Sequence, residues 1–97
     1  PNRGWVATSR GHCADTRVEV FRVDGADAWT EAVLPVGKEM GFRWMHVDAR
    51  DDFAVVTWYQ DVIPIRMRCT RGEGSATAQD QGVRVALVQA APGPRDR

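Results

Sequence analysis

The 97-residue sequence predicts an all-β fold, a small antiparallel β-sandwich or barrel of about six to seven strands. Three observations predict it. Thr16–Val23 (TRVEVFRV) is a run of β-branched and aromatic residues that ends on Asp24-Gly25, a turn pair. Phe42–Tyr59 (FRWMHVDARDDFAVVTWY) reads as two alternating strands around a charged turn. Ile65–Thr70 alternates apolar Ile65, Met67 and Cys69 with Arg66, Arg68 and Thr70, as a strand with one buried and one wet face would.

The elements follow in order. Trp5–Thr8 is a short edge strand, closed by the turn residues Ser9-Arg10-Gly11. Thr16–Val23 is the second strand. Ala26–Leu34 (ADAWTEAVL) admits two readings. Asp24 could cap a short helix that Pro35 stops, or Trp29, Glu31 and Val33 could alternate as a strand. The hairpin chemistry of Asp24-Gly25 favours the strand. Val36-Gly37-Lys38 reads as a turn. Gly41–Val47 and Phe53–Gln60 are the two most strongly patterned strands. Pro64 opens the next one, where its missing N–H is tolerated. Arg71–Gly82 (RGEGSATAQDQG) has little to bury and reads as a mobile loop, Val83–Ala90 as the last strand, and residues 91–97 as a flexible tail. One domain of residues 1–97 is expected, since the length fits a single core.

Composition excludes some functions. Charged residues make up 27% of the chain and net charge is zero, so neither nucleic acid nor an anionic membrane gains an electrostatic grip. No apolar run reaches the ~18 residues of a membrane helix. Arg supplies nearly all the basic charge, with Lys38 the single lysine, which reads as the habit of a GC-rich coding genome. Cys13 and Cys69 lie outside any Cys-x-x-Cys pair, and His12 does not complete a zinc set. A Cys13–Cys69 disulfide is therefore expected, against the alternative of two buried thiols. It would stabilise so small a domain by about 4 kcal/mol on the chain-entropy model. A chain that opens at Pro1 fits either a mature protein after signal-peptide removal or a trimmed piece. Together these give a secreted or periplasmic expectation. The order Cys13, Trp29, Cys69 resembles an immunoglobulin pattern, but Met67 stands where that pattern has Tyr.

Candidate site residues cluster on the central hairpin. If Val47 faces Asp52 across Asp48-Ala49-Arg50-Asp51, then Phe42, Trp44, His46, Phe53, Val55 and Thr57 share one side. Arg43, Met45, Val47, Ala54, Val56 and Trp58 share the other. Both sides are apolar, so the pair is either covered twice or leaves an aromatic patch in solvent. Aromatic rings give large contact area at low entropic loss. Trp44 with Tyr59 on one side, or Trp58 on the other, would form a platform for a protein or small ligand. Arg43, Arg66, Arg68 and Arg84 on neighbouring strands could hold a carboxylate, or form a wet face paired with Glu19, Glu31 and Asp61. His46 beside Asp48, Asp51 and Asp52 could bind a hard cation, but the spacing matches no EF-hand loop. His46 as a general base lacks a nucleophile, so no catalytic residue is assigned and no cofactor or metal is expected.

Leu34-Pro35, Gly37, Phe42, His46, Asp52, Thr70-Arg71 and Gly72-Glu73-Gly74 fall in an order that resembles an uncharacterised family of small exported bacterial proteins. That family is encoded beside TRAP-type solute transporters of the TAXI class. The resemblance covers about Val18 to Ala76 and departs at Val47, where the family has Ser after His. It implies export rather than a mechanism. The leading functional expectation is a non-catalytic exported binding module, monomeric or a homodimer, contacting a protein or small ligand through the aromatic and Arg surface. The alternative is a secreted enzyme inhibitor that presents the Arg71–Gly82 loop, and an enzyme using His46 ranks third.

Overall fold

The structure is a computed structural model and describes residues 3–11, 16–37, 40–64 and 78–91. The described residues form two three-stranded antiparallel sheets. The first holds β1 (Arg3–Arg10), β2 (Thr16–Asp24) and β3 (Asp27–Gly37) in sequence order. The second holds β4 (Met40–Ala49), β5 (Phe53–Val62) and β6 (Gly82–Gln89), also in order, with a 3-10 turn at Ala78–Asp80 leading into β6. The expected all-β sandwich architecture is what the chain adopts. Among the described residues no helix is long and apolar enough to cross a membrane.

Period-2 patterning builds the core. On β2, Thr16, Val18, Val20 and Arg22 are buried, and on β5, Ala54, Val56, Trp58 and Gln60 are buried. The two central strands thus turn alternate residues inward, as a half-buried strand must. Val18, Val20, Val56, Trp58 and Val88 form one cluster, with Trp5, Ala7, Leu34, Phe42, Met45 and Val47 packed against it. Polar groups inside are tied down. Trp58 Nε1 donates to Gln60 Oε1 at 2.8 Å, and Gln60 Nε2 donates to the Asp80 carbonyl at 2.6 Å. The Trp5 indole joins the two sheets by donating to the Arg50 carbonyl at 2.9 Å.

Ala26–Leu34 takes the favoured strand reading and not the alternative short helix, since it pairs with β2 from Asp27 onward. Three local expectations are corrected. Val36-Gly37 does not begin a turn; β3 runs through both and through Pro35, which an edge strand accommodates. The β4–β5 hairpin closes further along the chain than expected. Ala49 pairs with Ala54 and the connecting residues are Arg50 to Asp52, with the Arg50 amide donating to the Phe53 carbonyl at 2.8 Å. The shift by an even number leaves the faces of Trp44 and His46 unchanged. Phe42 does change face. A bulge leaves Arg43 unpaired between Phe42 and Trp44, so Phe42 packs on the core while Trp44 points outward. The 65–70 strand, most of the Arg71–Gly82 loop, the flexible tail beyond Ala91 and the Cys13–Cys69 pairing lie outside the described residues.

The β2–β3 turn shows why Asp24-Gly25 was informative. Asp24 pairs with Asp27, and Gly25 takes a φ of 63°, a left-handed conformation that costs other residues about 1–2 kcal/mol. Nothing lies within 4 Å of where a Gly25 Cβ would sit, so the backbone alone sets the penalty. Gly25→Ala should therefore lower the melting temperature by roughly 5–10 °C, at ~4–8 °C per kcal/mol for a domain of this size. A calorimetric scan that finds no shift would contradict the turn geometry.

Candidate functional site

The two sheets differ in what they show to solvent. On the outer side of the first sheet, exposed Val6 and Val33 are separated by a charged network on the central strand. There Arg17 Nε donates to Glu19 Oε2 at 2.7 Å, and Arg10 Nε lies 3.5 Å from Glu19 Oε1. The second sheet has no such interruption across its middle. Its registers place three cross-strand rows on the outer side: Trp44–Tyr59–Val83, His46–Thr57–Val85 and Asp48–Val55–Leu87.

Seven of those nine side chains are apolar or carry a methyl, and four are large and exposed. Trp44 is 46% exposed, Val83 54%, Val85 65% and Leu87 62%. Strand spacing and rise give this face an area on the order of 300 Å². Patches of that size on a monomer are commonly functional. No described strand covers it, since the inner sides of both sheets already face each other through the core.

One charged pair borders the patch. Bulging brings Arg43 beside Asp61, to which its Nε donates, and sets the guanidinium 5.8 Å from the Tyr59 ring. The hydrogen bond and charge of Asp61 hold Arg43 above even the ordinary arginine range. The arginine is thus fully cationic and already partnered, so it serves as a polar rim beside Trp44 and Tyr59. A shallow cleft of about 270 Å³ adjoins it between β1 and β4, lined by Ala7, Thr8, Ser9, Phe42, Arg43, Trp44 and Met45.

The sequence-predicted residues divide sharply. Trp44, Tyr59 and His46 share the outer face, and Trp44 pairs directly with Tyr59. Trp58 does not belong with them. It is 6% exposed, packs in the core cluster and spends its N–H on Gln60, which removes the alternative platform on that side. Arg66 and Arg68 lie outside the described residues. His46, Asp48, Asp51 and Asp52 do not converge: among the described residues no three His, Cys, Asp or Glu side chains could hold one metal ion. Of the loop assigned to the inhibitor alternative, Ala78–Asp80 is a 3-10 turn fixed by Gln60 and by Arg84, whose Nη2 reaches the Asp80 carbonyl at 3.1 Å.

A second constellation was missed by sequence reasoning. At the end of the sandwich that holds the β4–β5 turn, Arg22 is buried between two indoles. Its guanidinium carbon lies 4.7 Å from the Trp5 ring centre and 6.0 Å from that of Trp29. Glu31 Oε2 stands 3.7 Å from Nη1, and the two side chains are only 11% and 5% exposed. A bulge in β3 at Glu31 makes this possible, since it turns Glu31 and Ala32 inward consecutively. Arg22 Nε has no hydrogen-bond partner among the described residues. A cleft of about 320 Å³ opens beside it, lined by Gly4, Trp5, Arg22, Ala49, Arg50 and Asp51. The signal was present in the alternation, which puts Arg22 in phase with Val18 and Val20. Its charged lining is Arg22, Arg50 and Asp51, with Glu31 set beside Arg22 outside the lining.

The chain matches no protein-family profile, no curated protein and no solved structure. The resemblance to exported proteins encoded beside TAXI-class transporters therefore rests on its short motifs alone.

Proposed function

We propose that this domain is a non-catalytic binding module and that its partner is another folded protein, docked on the outer face of the β4–β5–β6 sheet. One observation carries the reading: a largely apolar surface from Trp44 and Tyr59 on β4 and β5 to Val83, Val85 and Leu87 on β6, with Asp48 at one corner. Apolar surface of this extent gains free energy when removed from water. Its flatness selects the kind of partner. Small molecules favour concave sites that bury most of their surface, whereas a pleated sheet offers area without enclosure. Trp44 and Tyr59 supply rigid aromatic contact at the centre of one end, and the Arg43–Asp61 pair supplies a polar rim.

Site-specific photocrosslinking tests it. A photoreactive amino acid at position 85 should give one discrete crosslink to a protein other than this chain in the native host. The same group at position 33, on the charged outer side of the other sheet, should give none. Equal or smeared crosslinking from both positions, or none from position 85, would overturn the assignment. Trp44→Ala should weaken the position-85 crosslink at least several-fold while leaving the denaturation midpoint close to wild type, since Trp44 is nearly half exposed.

A further inference from the structure

The four sheet edges are not equivalent. β1 and β4 lie near one another, so each partly shields the other. β4 is further interrupted by the bulge at Arg43. β3 carries Pro35, which has no N–H to offer, and is bulged twice, at Glu31 and at Val36. These are the devices by which natural sheets discourage edge-to-edge pairing. β6 has neither bulge nor proline, and its approach to β3 is slighter than that of β1 to β4. Its eight residues, GVRVALVQ, stay in unbroken register with β5 from Gly82 to Gln89. It contains no proline and no lysine, and its one charge, Arg84, is folded back onto the carbonyls of Val83, Gln79 and Asp80. Among the described residues no other strand pairs with its outward side.

We infer that β6 is a self-pairing edge, and that two copies of this chain join their β4–β5–β6 sheets into one six-stranded sheet. The occupant is a second copy because β6 fits itself. Antiparallel pairing centred on Val85 is isologous, so one patch serves both chains. It sets Val85 against the second copy's Val85, and Val83 against its Leu87, on the outer side. Cross-strand pairs of β-branched and aliphatic residues are favourable, and like charges directly opposite are not. In this register each Arg84 faces the second copy's Ala86, so the two arginines never meet. The apolar band of the outer face would then run on across the junction and double in width.

The footprint fixes the strength. An eight-residue edge about 27 Å long on a sheet about 10 Å thick offers only ~270 Å² per chain, far below the ~800 Å² of a standard interface. Association is therefore weak and rises with concentration. It shares Val83, Val85 and Leu87 with the face proposed for the partner but forms along the backbone edge of β6, away from Trp44 and Tyr59.

Sedimentation equilibrium on the whole chain from about 1 μM to about 1 mM tests it. The wild type should move from one chain's mass toward two. Val85→Lys and Leu87→Lys should stay monomeric at concentrations where the wild type dimerises, and Trp44→Lys should dimerise like the wild type. Far-UV circular dichroism confirms that the variants fold, as exposures of 65% and 62% at Val85 and Leu87 lead one to expect. As a measurement free of mutation, amide exchange in β6 should slow as wild-type concentration rises. A wild type monomeric throughout overturns the inference. So does loss of dimer in Trp44→Lys as well, which would mean association through the face, and so does retention of dimer in both β6 variants.

Discussion

Trp58→Ala should destabilise the domain by about 3–5 kcal/mol, the range for truncating a buried Trp or Phe. A chain of this length has roughly 5–15 kcal/mol to lose, so the variant should unfold at a much lower denaturant concentration and populate unfolded chain without any. Two losses combine. The indole sits in the cluster with Val18, Val20, Val56 and Val88, and its removal leaves a cavity between the two central strands. Its N–H also satisfies Gln60 Oε1, and Gln60 in turn holds the turn before β6. Trp58→Phe separates the two: it keeps most of the volume but leaves the Gln60 oxygen unpaired, for about 1–3 kcal/mol. Urea melts of the three proteins measure both steps. A Trp58→Ala midpoint equal to wild type would remove Trp58 from the core.

Glu31→Ala should destabilise by about 3 kcal/mol, the low end of the range for stranding one member of a buried ion pair. The low end applies because Arg22 keeps other support. The carboxylate is 3.7 Å away and is not hydrogen-bonded to it, and the Trp5 and Trp29 rings still flank the cation. Glu31 also accepts the Ala91 amide at 3.3 Å, a hydrogen bond that an alanine side chain cannot make. Replacing both ions behaves differently. Arg22→Met with Glu31→Leu removes both buried charges and keeps the volume, so it should recover most of the loss or exceed wild-type stability. A double-mutant cycle by equilibrium denaturation reads the coupling directly. Single variants each within about 0.5 kcal/mol of wild type, as surface changes are, would show that the pair is solvated rather than buried.

The legible parts of the fold were those where one face is buried and the other wet. β2 and β5 alternate strictly, and their expected ranges match the strands to within two residues at each end. The register of the β4–β5 hairpin was not legible, because Phe42 to Tyr59 is apolar on both sides and a shift by an even number of residues satisfies the same pattern. The bulge at Arg43 left no trace in sequence: Phe42 and Trp44 have equal parity and opposite faces. Polar residues misled in β1 and β3. Ser9, Arg10, Pro35 and Gly37 carry turn chemistry, yet each sits in an edge strand, where only one side of the backbone must pair.

The candidate site followed the same division. Trp44 and Tyr59 were legible as sharing one face, because alternation fixes the face, but not as direct partners, which the register decides. The extent of the patch was not, since Val83, Val85 and Leu87 enter from a strand more than twenty residues away, across residues that give no register signal. Glu31 was read as a partner on a wet, charged face, and Arg22 was not singled out. Their burial depends on two indoles from β1 and β3 and on a bulge, none of which period-2 alternation encodes.

Each sheet is a meander of consecutive strands, and only Lys38 and Glu39 separate the last strand of one from the first strand of the other. Among the described residues every backbone ladder therefore closes within its own half of the chain, and the contacts between the halves each involve a side chain. That division makes the protein a natural pair of complementing fragments. A cut between residues 37 and 40 severs no ladder, and the two pieces retain the interlocking surfaces around Val20 and Trp58 needed to find each other again. It also favours rapid, local hairpin assembly followed by docking of the two halves as preformed layers.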